Sequence, residues 1–584
     1  MPRKRKPSAD TILEQAKLLV EQNRQRNSLF DQMDRIYDQE RTESAPESDD
    51  SVVLVRMPHG TNAVDLITDL LAQSEMVITV PAASESAPAK READLEEKWL
   101  RAWLQKNERV QGQNLVAGAA WNAAMRSVVC LKTVFSKKLI EDHQVANVPV
   151  VLQLRDPRHT YWRYGVTGLE CVVECYNRLA GEIMAHYPGV LDPKEYDEDS
   201  EVEWVEYWDD TYRSYFCEGN PIAVEGKQVV PHGYGIVPYA FGWARSTPRT
   251  EPGKRYRPLL AGVADTLRAL DIYASIRATA AHDVLVNAWA VFSDQYGHGS
   301  RELDTGPDAI NYFGAQDKIQ AMQRGPLPED LASHGGELMS AFQQGTFPMA
   351  LYGQISGQMA GYAINMLLAS GRRPMIPIYA AVQDAFANAF RNCVLICREK
   401  VAPLVGEKIC LTVKAKGEDG TSYKRELMLD TNKIGDDWDC EVTMSDPMPA
   451  DEASNLRMAI EATKAGLLSA ETALTKYKVV PDALDEMTRI QIEAIFRQLA
   501  GPEMKRLAIE RGYLPPAALE QEKPQAGAPQ QVPTPVIPEG IVQPEIPPVM
   551  EPNVALMQNM AGQGPFMPEM GEMAGEAPAG EAAY

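Results

Sequence analysis

An α+β protein is predicted by three features of this 584-residue chain. Apolar residues recur at helical spacing on both sides of a central region, short β-rich runs of period two fill roughly 127–243, and Gly, Pro, Asn and Asp punctuate those runs. The length has room for three or four domains or one elongated protomer, and a hydrophobic content of 45% is ordinary for a globular chain.

The elements follow in order. Ser8 is placed to cap a helix over 9–41, with Ile12, Ala16, Leu19, Phe30, Met33 and Tyr37 near helical spacing, and the polar stretch 42–50 ends it. Asn62 is the expected cap of a second helix, whose face is Ile67, Leu70 and Leu71, and 76–81 reads as a strand. After a loop at 82–90, Trp99, Leu100, Trp103 and Leu104 mark a third helix, and Ala-rich 113–127 a fourth with Trp121 as its bulky anchor. The runs VVCLKTVF, VPVVLQL, YWRYGV, VEWVEYW and YRSYFCEG are strands, with a helical interruption expected at 176–186.

Arg257-Pro258 opens a long helix to about 285, carrying Leu259, Val263, Leu267, Leu270 and Ala274 on one face. Proline suits a first turn because its missing N–H has no intrahelical partner there. A small β insert is expected at 289–325 and a returning helix at 330–344. The stretch 345–371 has no charged side chain and several glycines, so it is either a flexible apolar loop leading into a helix or part of a buried contact. Pro374 and Pro377 introduce a helix to about 401 with Ile378, Val382, Phe386, Ala389, Cys393 and Ile396 on one side. Strands at 409–416 and 423–429, and another within 438–444, precede helices between 451 and 511. From Pro515 onward, 14 Pro and 7 Gly in 70 residues predict disorder.

Charge narrows the function. There are 58 Lys and Arg against 81 Asp and Glu, a net charge of −23. That sign argues against a protein that grips nucleic acid, because such binding is driven by cations that release phosphate counterions. The last 70 residues hold nine Glu and one Lys, or −8, which leaves −15 on the other 514. Eight scattered cysteines without a CxxC pair read as reduced thiols. The basic start MPRKRK is followed by an amphipathic stretch rather than an apolar one, and no run reaches the length of a membrane span. A chain made in a cytoplasm, neither secreted nor membrane-embedded, is the expectation.

Enzymatic motifs are sparse. There is neither a GxxxxGK followed by Ser or Thr nor an HExxH, and GQISG at 353–357 is one residue out of register for a nucleophile elbow, so Ser356 is read as a loop hydroxyl. The stretch 430–441 imitates a calcium loop through Asp430, Asn432, Gly435 and Glu441, but Ile434 supplies no oxygen at the fifth position, which favours an acidic turn. Cys171/Cys175 and Cys393/Cys397 share the i,i+4 spacing of one helix face yet lack two further ligands nearby in sequence, so no metal and no cofactor are expected. Asp209-Asp210 and Asp436-Asp437 are adjacent acids of the kind found in turns. A hydrolase built on Asp209, Asp210 and His232 stays open as a minor alternative. Cations concentrate only in MPRKRK, Arg372-Arg373 and 245–257.

Four strings, RDPRHTYWRYG (155–165), VEWVEYWDDTYRSYFCEG (202–219), HGYGIVPYAFGWAR (232–245) and AGLLSAETALTKYKVVPDALDEMTRIQIE (465–493), stand in this order along the chain. With the sequence of elements above, the chain over about 8–511 resembles the portal proteins of tailed double-stranded DNA bacteriophages. The resemblance implies a portal-type protomer: N-terminal helices and α/β wing at 1–256, a first stem helix at 257–286, a β clip at 287–329 and a second stem helix at 330–344. A tunnel loop at 345–362, a long wing or spine helix at 363–402, wing strands at 403–450, a helical crown at 451–514 and a disordered tail at 515–584 would follow. It further implies a non-enzymatic ring of about twelve copies at one capsid vertex of the virion, assembled in the host cytoplasm. The expected partners are the terminase large subunit, a major capsid or scaffolding protein, a head-completion or tail adaptor protein, and double-stranded DNA in transit, without a membrane. Within the loop it casts Met349, Tyr352, Gln354, Ser356 and Gln358 as facing DNA and Gly345, Gly353, Gly357 and Gly361 as hinges. An apolar contact between subunits is the competing reading of this segment, and another phage head or neck structural protein is the competing reading of the whole.

Overall fold

The computed structural model describes residues 6–40, 53–136, 149–285, 289–292, 318–321, 329–347, 351, 373–416 and 422–444, with isolated positions between 460 and 490. The chain divides into two compact units, Met1–Met458 and Ala459–Tyr584. The first unit mixes helices and antiparallel sheets, an α+β arrangement.

Ser8 does cap the first helix, its Oγ accepting the N–H of Thr11 at 3.2 Å. The single helix expected over 9–41 is instead two, α1 (Ala9–Gln22) and α2 (Arg24–Tyr37). Asn23 separates them: its Nδ2 donates to the Leu19 carbonyl at 2.9 Å, so the side chain competes for the helix's own acceptor. α3 (His59–Gln73) starts before Asn62, which lies inside the first turn with its N–H on the Pro58 carbonyl and does not act as the cap. Strand β1 (Met76–Thr79) pairs with β15 (Glu441–Met444) from the far end of the unit. α4 (Ala87–Gln111) is capped by Ser86 and closed by Gly112 at φ 64°, the left-handed turn that glycine adopts without strain. α5 (Leu115–Arg126) is capped by Asn114. Its last residue, Arg126, is buried and joins Asp34 of α2 at 2.7 Å to Asp156 at 3.2 Å. Trp121 is half-buried, with its ring edge-on to Tyr37.

A three-stranded sheet runs in the order β10 (Tyr239–Trp243), β2 (Val128–Phe135), β3 (Val150–Arg155). An open edge is a template for unwanted pairing, and α4 closes the outer edge of β3 with side chains. Trp103 Nε1 donates to the Val150 carbonyl at 3.0 Å, Asn107 Oδ1 accepts the Leu152 N–H at 3.0 Å, and Gln111 donates to the Leu152 carbonyl. Helix α9 (Ile376–Ile396) lies across β10 and β2. The two come so close that a Cβ on Gly242 would fall 1.7 Å from the Ala381 carbonyl oxygen, so only glycine fits. All six face residues expected for this helix are buried, and its end passes through one π-turn, Cys397–Val401.

A second sheet has six strands: β4 (Thr160–Gly165), β5 (Gly168–Leu179), β6 (Glu201–Asp209), β7 (Tyr212–Cys217) and β8 (Asn220–Pro221), with β9 (Val229–Pro231) also on β7. The helix expected at 176–186 shrinks to α6 (Ala180–His186), because Tyr176, Asn177 and Arg178 pair in register with Trp204, Glu203 and Val202. Cys171 and Cys175 therefore stand in a strand, where four residues span about 13 Å. That is too far to share one metal ion. A separate hairpin joins β13 (Lys408–Lys416) to β14 (Ser422–Asp430).

Candidate functional site

Two regions of the first unit can carry function. The first is a helix–hairpin–helix excursion. Pro258 precedes a short 3-10 turn, Leu259–Gly262, and α7 (Ala264–Leu285) starts after it, so the long helix begins later than its proline. Leu259, Val263, Leu267, Leu270 and Ala274 are buried, as their spacing predicts. Strands β11 (Trp289–Phe292) and β12 (Lys318–Ala321) form an antiparallel pair, and α8 (Glu329–Gly345) returns along α7. At Gly335 a Cβ would meet the Tyr273 ring at 2.3 Å, so the small residue lets the helices approach. The remaining part of the expected insert lies outside the described residues.

An extended strap also runs along α7. The backbone N–H groups of Val53, Val55 and Met57 donate to Thr279 Oγ1, Ser275 Oγ and Asp271 Oδ1 at 3.0, 2.9 and 3.0 Å. Alternate residues of the strap meet every fourth residue of the helix. The distances match, at about 6.6 Å for two strand residues and about 6.0 Å for four helical ones.

The uncharged segment begins where α8 ends. Gly345 is the last helical residue, and a Cβ there would sit 2.2 Å from Val263 Cγ1. Thr346 bonds back to the Phe342 carbonyl through both its N–H and its hydroxyl, and Phe347 is fully buried, so the start of the segment is pinned to the core. Met349, Tyr352, Gly353, Gln354, Ser356, Gly357, Gln358 and Gly361 lie outside the described residues, as do Arg372 and the tail from 515.

The other candidates resolve into local structure. Asp209 closes the β6–β7 turn by accepting the N–H groups of Thr211 and Tyr212. His232 Nε2 donates to the Asp209 carbonyl at 2.8 Å, and its Nδ1 accepts the Tyr234 N–H at 3.2 Å. Burial lowers the His232 pKa, so the neutral ring is favoured and both its nitrogens are taken up by backbone. This geometry leaves that histidine no free nitrogen for proton transfer. In the calcium-like loop, Asp430 accepts the N–H of Asn432 and so turns its own chain. Arg245 donates to the Pro374 carbonyl at 2.8 Å, and Ser127 Oγ lies 2.6 and 3.0 Å from the carbonyl oxygens of Arg245 and Arg257, which ties the basic loop to the body. Among the described residues no three of His, Cys, Asp and Glu gather as metal ligands, and no helix is long and apolar enough to cross a membrane.

The second region is a cleft of about 730 Å³ between the two sheets. Glu174 of β5 and Glu206 of β6 are directly opposite one another in the ladder, an arrangement that like charges alone would destabilise. Lys132 of β2 enters between them, 2.6 Å from Glu206 and 3.4 Å from Glu174, and Arg155 Nε lies 3.1 Å from Glu174 off the hydrogen-bond line. Tyr239 donates to Glu174, while Tyr176, Trp204 and Trp208 donate to Glu206. Burial works to raise the Glu206 pKa, but the charges of Lys132 and Arg155 outweigh it and hold the carboxyl well below the usual range. Burial likewise works to lower the Arg155 pKa, and Glu174 and Glu206 raise it instead. Burial, with Glu206 beside it, pushes the Tyr176 phenol up. The sequence reading missed this cluster. The available signal was a glutamate inside each of two β runs, ECVVECY and VEWVEYW.

No protein-family model matches the chain, and no curated protein matches it. Among solved structures it is similar, at 11% identity and a TM-score of 0.36, to a chain described as "Neck of empty GTA particle computed with C6 symmetry". The match covers 73% of this chain and 91% of that one.

Proposed function

We propose that the chain is a portal subunit: one copy of a ring that forms a DNA channel at a capsid vertex, passes the genome in and out and joins head to tail. The observation that carries this reading is the excursion. Two antiparallel helices bear a β pair at their far end and feed directly into the uncharged segment, after which the long buried helix α9 returns to the body. The four strings and their order support the same reading.

Charge supports it too. Over Ala264–Leu285 and Glu329–Gly345 the two helices carry two arginines against six acidic residues. A conduit must let a polyanion slide, and a cationic wall would hold each phosphate by about 1 kcal/mol or more at close range. An acidic wall avoids that trap. On this reading Met349, Tyr352, Gln354, Ser356 and Gln358 face the DNA, Gly353, Gly357 and Gly361 give mobility while Gly345, packed on Val263, does not act as a hinge, and a separate ATPase, the terminase large subunit, drives the motion. Capsid or scaffolding protein and a tail adaptor complete the partners.

Negative-stain imaging of the purified protein tests the proposal. A cone or ring with a central hole and about twelve-fold symmetry is the expected result, and a compact monomer would overturn it.

A further inference from the structure

We infer that the cleft between the two sheets receives a single carboxylate side chain of an acidic peptide, with Arg213 as its anchor. This inference does not depend on the ring reading.

Charge accounting singles out Arg213. Of the four cations at the cleft, Lys132 and Arg155 are matched by Glu174 and Glu206, and Arg178 by Glu182 at 3.1 Å. Among the described residues Arg213 has no ion-pair partner, and its Nε is shielded from solvent without an acceptor. Its guanidinium is nonetheless held in place, 5.5 Å from the centre of the Trp208 ring and 5.8 Å from that of Tyr215. A guanidinium oriented by aromatic faces, with its donors unspent, is suited to a two-pronged bond to a carboxylate.

The ligand class follows from the balance of four cations against three acids, a surplus of one. That surplus suits a monoanion. A phosphate dianion or a nucleic-acid backbone would exceed that surplus and leave uncompensated negative charge beside Glu206 and Glu182, which line the cleft. The volume lies within the range that holds a small ligand or a side chain with its neighbouring peptide groups. Tyr187, packed 6.1 Å from Tyr215, adds an aromatic wall for the methylenes of a glutamate.

Fluorescence anisotropy of a fluorescein-labelled hexaglutamate, titrated with the full-length protein, tests this. Saturable binding is expected, weakened at least about tenfold by Arg213→Gln, which removes a charged hydrogen-bond donor. Arg213→Lys keeps the charge but loses the fork, so a smaller, several-fold loss is expected, and this variant serves if the glutamine variant does not fold. Arg163→Gln removes an exposed arginine of the same sheet, paired with Glu170, and should leave binding unchanged. Absence of saturable binding, or equal affinity in the two Arg213 variants and wild type, would overturn the anchor. Competition by inorganic phosphate as strong as that by unlabelled hexaglutamate would overturn the monoanion assignment. Equal competition by free glutamate would overturn the peptide assignment.

Discussion

The two faces of the six-stranded sheet are built from the same strands and solve burial in opposite ways. On one, Cys171, Val173, Val205, Tyr207 and Phe216 meet Ile12, Ala16 and Leu19 of α1, with almost nothing to neutralise. On the other, one residue along each strand, Glu174, Glu206 and Trp208 meet Lys132 and Arg155 of a facing sheet. An amphipathic helix can offer a purely apolar stripe. Here the sheet-to-sheet contact carries charge, and every buried charge then has to be matched. The apolar face tolerates approximate fit, whereas the ionic face fails when one member is removed.

The largest effect should come from Lys132→Met, which leaves two opposed carboxylates with Arg155 as their sole close cation. A loss of about 3–5 kcal/mol is expected in urea unfolding. Adding Glu206→Gln to it should recover much of that loss, since Arg155 then faces the single carboxylate of Glu174 and the charges match again. Failure of the double variant to recover would mean that the cluster is held by more than charge matching.

On the other face, Ile12→Ala removes a fully buried side chain of α1 and should cost about 2–4 kcal/mol by the same measurement. The loss should change little with pH, because the side chains clustered with Ile12 are apolar. A loss below 1 kcal/mol would show that α1 contributes little to the sheet.

The smallest effect is a slope. The folded-state pKa of Glu206 is depressed, so its contribution is fully present above the unfolded value near 4.5 and is lost as pH falls from there toward the folded value. Glu206→Gln should therefore flatten the fall in stability below about pH 5 relative to wild type. An unchanged slope would remove Glu206 from the acid sensitivity of the fold.

Much of the apolar architecture was legible from spacing alone. The expected face of α9 and the expected apolar positions 259–274 leading into α7 are buried residue by residue, since helical period is a local property. Boundaries were misread where a single side chain or a cross-strand partner decides them, as at Asn23 and at Tyr176–Arg178. The ionic cluster was illegible for a different reason. Lys132 is 42 residues from Glu174 and 74 from Glu206, and β6 is buried on both faces beyond Val205, so no alternation marks Glu206 as inward. Arg213 sat in a run read simply as a strand, and only its position over two aromatic rings sets it apart.

The strap along α7 works as a vernier. Its rungs repeat at about 6.6 Å against about 6.0 Å on the helix, so the two scales drift by about 0.6 Å per rung and agree closely over only a few. A slide of the helix by one residue, about 1.5 Å, strains all three hydrogen bonds at once, because their acceptors recur only at every fourth residue. The strap therefore marks one axial register of α7 and resists small axial creep of the helix relative to the N-terminal body.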